Sequence, residues 1–103
     1  MSERRQIRAI LFKEGDLWVG QCLEYDIGAQ GRDLDELRGR LTLAIEVERR
    51  ESIERTGKPF GGIPQAPPYF HDLWERRSGN FEPRNPTDLR DGNSIRLELA
   101  LAA

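Results

Sequence analysis

A chain of 103 residues, 33% of them charged and 37% hydrophobic, has room for one modest core and reads as a single domain, 1–103. Its formal charge of -2 argues against nucleic-acid binding through the overall field, and a single cysteine forms neither an internal disulfide nor a thiolate metal cage. No apolar run reaches the length of a signal-peptide core or a membrane span, so a cytoplasmic protein without membrane contact is expected.

Residues 6–13, QIRAILFK, put Ile7, Ala9 and Leu11 on one face of a strand and Arg8, Ile10 and Phe12 on the other. Gly15 sits in the short connection to 17–23, LWVGQCL, which reads as the returning strand of a hairpin. Glu24-Tyr25-Asp26 forms the next turn, and 27–31 a short third strand. Asp33 then caps a helix, with Glu36 at capping-box spacing. Leu34, Leu37, Leu41, Ala44 and Ile45 lie on one stripe of that helix. Glu36/Arg40, Glu46/Arg50 and Glu51/Arg55 support its exposed faces by about 0.2–0.5 kcal/mol each. Gly57 ends it, giving a helix over 34–56.

Beyond Ile45 the stripe turns polar at Glu48 and Ser52, so the last two turns are expected to overhang the sheet. A second, weaker row, Gly39, Leu43 and Val47, runs along another side of the helix. Gly39 costs about 1 kcal/mol against alanine. It either admits another backbone or is a tolerated glycine beside two exposed aliphatics; Gly39, Leu43 and Val47 are the candidate oligomer contacts.

Residues 58–93 are rich in proline and glycine, with one short helix expected over 68–78. The aromatics Phe60, Tyr69, Phe70, Trp74 and Phe81 fall here, unlike the composition of a disordered linker, so the segment is expected to dock. It either grips a partner or folds back over its own sheet, where Ile10, Phe12 or Trp18 lies. Tyr69, Leu73 and Trp74 are alternatively placed over the Gly39–Leu43–Val47 row, in cis or from a second subunit. The chain closes with SIRLELAL, 94–101, an alternating half-buried strand. The expected fold is α+β, in the order β-β-β-α-β: a small, mainly antiparallel sheet with one long helix on one face. Joining the last strand beside the first would centre the helix.

This order resembles the HicB-like antitoxin family, whose fold is a truncated ribonuclease H. Trp18-Val19-Gly20-Gln21-Cys22 resembles the family's second strand, Ala29-Gln30-Gly31 its third, Asp33-Leu34-Asp35-Glu36-Leu37 its helix start and IRLELALA its closing strand. The family's proline-bounded turn is here Glu24-Tyr25-Asp26, and no C-terminal DNA-binding module is legible, so operator binding by this chain alone is not expected. The resemblance implies a non-enzymatic homodimer or higher homo-oligomer that binds a small basic ribonuclease toxin of the HicA type and occludes its RNA-cleaving site. An orphan HicB-like binding or regulatory domain without a toxin is the alternative.

No catalytic set emerges. Cys22 lacks a nearby base in the sequence, the single histidine being His71, and reads as a small hydrophobe in a strand. Asp16, Glu24, Asp26 and Asp33 fall in turns and at a cap, not on converging strand interiors as two-metal nuclease chemistry requires. Neither a metal nor another cofactor is expected. The candidate partner contacts are Glu24, Tyr25 and Asp26, read either as a patch for a basic partner or as a solvated turn with Tyr25 over the sheet rim, together with Tyr69, Phe70 and Trp74.

Overall fold

Alternating side chains and a glycine turn produce the first hairpin, β1 (Arg4–Glu14) with β2 (Leu17–Cys22), in a computed structural model that describes residues 4–81, 87–88 and 94–103. Glu14 pairs with Leu17, leaving a two-residue turn in which Gly15 takes φ +62, the first-position requirement of a type II′ hairpin. β3 (Gly28–Gly31) returns antiparallel to β2, with Gly20 opposite Ala29.

α1 (Leu34–Thr56) begins and ends where the sequence expects. The Asp33 carboxylate accepts the Glu36 backbone N–H at 2.8 Å, and Gly57 closes the helix at φ +78. Glu36 reaches back one residue beyond the usual capping box, accepting from the Arg32 backbone N–H at 3.1 Å. That bond, with Arg40 and Arg32 nearby, holds the Glu36 carboxyl below its ordinary pKa.

α2 (Pro68–Glu75) follows, three residues shorter than expected. β4 (Gly79–Phe81) and β5 (Thr87–Asp88) then pair antiparallel with the closing strand β6 (Ser94–Leu101). These two small strands lie within the segment read as a connection with one helix, and residues 82–86 and 89–93 of that segment lie outside the described residues. β6 runs parallel to β1, from Arg4 beside Ser94 to Leu11 beside Leu101. The sheet order is β3-β2-β1-β6-β4, with β5 on β6. This is the expected α+β architecture, mostly antiparallel, with one long helix on a face.

Both faces of the sheet are covered. Under α1, Ile7, Ala9, Leu11 and Cys22 meet Leu37, Leu41 and Ile45, joined by Leu97 and Leu99. On the opposite face Ile10, Leu23 and Ala100 meet Trp74, with Phe70 and Leu73 beside them. The strand period of two thus sorts β1 into two cores with no residue shared between them. Gly20 is needed for the first core, since a Cβ there would lie 3.2–3.3 Å from the side chains of Leu11, Leu37 and Leu41. Gly31 is stricter: its Cβ would come 2.5 Å from the backbone nitrogen of Leu37.

Two expectations need correction. The end of α1 does not overhang: Ser52 is fully buried, donating to the Arg49 carbonyl at 2.7 Å and accepting the Phe60 backbone N–H at 2.6 Å. A serine closes the polar gap because its hydroxyl both donates and accepts, so the chain after Gly57 docks under the helix. Trp18 lies on the α1 face and not under the aromatic segment, because it shares the parity of Gly20 and Cys22.

Candidate functional site

All three residues of the turn after β2 are bonded to the rest of the fold, and two of them are partly buried. Leu23 donates to the Arg8 carbonyl, completing the β1–β2 ladder. The Glu24 carboxylate then extends that ladder by one bond, accepting the Arg8 backbone N–H at 2.8 Å and also the Arg8 Nε–H at 2.7 Å. Tyr25 is half-buried, its ring 4.2 Å from that of Phe60 and nearly parallel to it, while its hydroxyl accepts from Arg5 at 2.6 Å. Phe60 holds φ +60, a left-handed conformation unusual for a bulky residue, and its buried ring and bonded N–H keep it there. Asp26 alone of the three is exposed; its carboxylate accepts from the Gln21 side chain at 2.9 Å.

Chain 58–66 rounds this end of the sheet, with Asp26 N–H donating to Pro64 and Ala66 N–H to Leu23. It delivers α2 to the face opposite α1. Trp74 is 4% exposed, with the guanidinium carbons of Arg8 and Arg77 5.6 Å and 4.8 Å from its ring centroid. Phe70 stacks toward Phe12 at 6.2 Å, and Tyr69 sits edge-on to Phe70 while remaining 61% exposed. The aromatic segment therefore folds back over its own sheet, on Ile10 and Phe12. This excludes the placement of Trp74 over the Gly39–Leu43–Val47 row in cis, and buries Trp74 too far for it to be a first contact with a partner. The docking expected of the segment also covers Phe81, whose side chain lies outside the described residues.

On the other side, Leu43 is 57% exposed and a Cβ on Gly39 would meet nothing within 4 Å, so the row is open in the single chain. Leu43, Ala44 and Val47, with Arg40 and Glu48 on the same helix and Asp26, Ile27 and Gly28 opposite, line an open groove of about 440 Å³. The groove brings together one candidate partner contact, Asp26, and two candidate oligomer contacts, Leu43 and Val47. Sequence reasoning missed Arg40, Ala44, Glu48, Ile27 and Gly28 as its walls. The available signal was Gly31, which draws α1 against β3 and so leaves the helix flank beside the strand.

The carboxylates weighed for metal chemistry separate into two ends. Asp16 and Asp33 flank the Trp18–Gly31 end of β2 and β3, whereas Glu24 and Asp26 lie beyond the Gln21–Gly28 end. Among the described residues no three His, Cys, Asp or Glu groups are placed to hold a metal ion. Cys22 and His71 are on opposite faces of the sheet. Burial, and secondarily the charge of Glu24, push the Cys22 thiol up to about 12. No helix among the described residues is long and apolar enough to cross a membrane.

Compared with known proteins, the chain matches no family model, and neither a curated protein nor a solved structure matches it significantly.

Proposed function

We propose that this chain is a HicB-like antitoxin-type binding protein, acting in the cytoplasm without chemistry of its own, which holds a small basic HicA-type ribonuclease and occludes its messenger-RNA-cleaving site. The observation that carries the reading is topological. A three-strand meander, a crossing helix and a last strand returning parallel beside the first form the truncated ribonuclease H order that the resemblance implies. Supporting it is an aromatic surface anchored to a rigid support. Tyr69 stands exposed on α2 with Asp72 three residues on, and Trp74 fixes the same helix to the sheet. A rigid exposed tyrosine beside a carboxylate suits contact with a basic partner. Glu24 is the weaker candidate, because its carboxylate is already bonded to Arg8.

Co-expression tests the reading. A short, strongly basic neighbouring reading frame should arrest growth when expressed alone, and this chain should relieve the arrest. Tyr69→Ala should weaken the purified complex about 30-fold, the effect of a contact worth about 2 kcal/mol. Growth arrest that this chain fails to relieve would overturn the proposal.

A further inference from the structure

We infer that the groove beside β3 is the seat of a second copy of this chain, joined by antiparallel pairing of β3 with its symmetry mate. The inference does not rest on the antitoxin reading. Among the described residues β3 ends the sheet. Cys22 N–H bonds to the Ile27 carbonyl, and the β2–β3 register alternates from there. Ala29 and Gly31 consequently face β2, and the backbone N–H and C=O of Gly28 and Gln30 point away from the sheet. An edge presenting such groups is a template for another strand.

The edge is complementary to itself. Pairing about Ala29 sets Gly28 of one copy opposite Gln30 of the other, twice, and joins the two outward donor–acceptor sets. The same register sets Asp26 opposite Arg32 of the mate. Asp26 is exposed, and the Arg32 side chain is 81% exposed. A two-fold axis makes both pairs identical, as an isologous interface requires. An antiparallel strand pair about such an axis also makes the two α1 helices antiparallel neighbours on one face. Their facing flanks are the half-open rows of Leu43, Ala44 and Val47, where the bare Gly39 permits close approach. Arg40 and Glu48 bound that row at opposite ends, so each helix presents its cation toward the anionic end of its mate. In the single chain the Arg40 guanidinium donates to the Gln30 carbonyl at 3.2 Å, partly shielding the edge. The carbonyl's second lone pair remains for the Gly28 N–H of the mate.

Sedimentation equilibrium on the full chain, from low micromolar to several hundred micromolar, tests the interface. The wild-type chain should be dimeric over most of that range. Leu43→Glu should weaken association at least a hundredfold, and Asp26→Arg or Arg32→Asp alone at least tenfold. The double variant Asp26→Arg/Arg32→Asp should recover it, because the swapped charges again face each other. Circular dichroism with thermal melting confirms that each variant is folded, which the exposure of all three side chains favours. A wild-type chain that stays monomeric throughout overturns the inference. So does a dimer indifferent to Leu43→Glu, or one that the single charge changes weaken and the double variant fails to restore.

Discussion

At the scale of residues, the chain's chemistry-bearing groups are largely committed to holding the fold. Cys22 illustrates this: burial, and secondarily the charge of Glu24, push its thiol up to about 12 from an ordinary 9.0. The sign follows from linkage. The folded state keeps the proton that the unfolded chain releases above pH 9.0, so this group's contribution to stability falls as pH rises from there toward about 12. Below that window the native thiol should react with Ellman's reagent only as fast as the protein opens, and at once when guanidinium unfolds it. Fast stoichiometric reaction of the native protein would contradict the burial assigned to it. Glu24 makes the same point from the surface. A carboxylate between strands looks available in the sequence, yet one of its oxygens accepts the Arg8 backbone N–H and the other the Arg8 side chain. Nothing in local spacing reveals such a bond, because the residues joined are sixteen apart.

At the scale of elements, the sequence was most legible where the signals are local. Asp33, Glu36 and Gly57 bound α1 at the residues expected, since caps act through bonds spanning three or four positions. The parity of β1 was equally plain, and its two faces became two cores. Past Ile45 the reading failed because it treated polarity as exposure. Ser52 is polar and wholly buried, its hydroxyl bridging the Arg49 carbonyl and the Phe60 N–H. Ser52→Ala leaves that buried N–H without an acceptor and should destabilise the protein by about 1–3 kcal/mol in urea unfolding. An unchanged midpoint would show that the chain after Gly57 finds another anchor. The short β4 and β5 went unseen for a related reason. Two or three residues carry too little periodicity to read, and β6 supplies the template that makes them strands.

At the scale of the whole molecule, the protein is three layers, with α1 and α2 on opposite sides of one sheet. Trp74 is the main anchor of the second core. Trp74→Ala should cost about 3–5 kcal/mol, a large share of the about 5–15 kcal/mol that keeps such a domain folded. Guanidinium unfolding followed by far-UV circular dichroism checks this, and a loss below 1 kcal/mol would mean that α2 packs only loosely. The consequence for function is a division of surfaces. With both sheet faces covered, the described residues still expose Tyr69 on the outer side of α2 and Leu43 in the groove between α1 and β3.

The sequence by itself determined the elements with strong local signals: a hairpin, a capped helix over 34–56, a closing strand, and which residues of each strand share a face. These depend on backbone geometry and on bonds between near neighbours, which composition and spacing record directly. Only the tertiary structure decided that β6 lies parallel to β1, that the aromatic segment covers its own sheet, and that Asp26 shares a groove with Leu43 and Val47. Those outcomes come from contacts between residues far apart in the chain. Their free energy is set by which surfaces remain to be buried once the local elements have formed, and no short stretch of sequence carries that information alone.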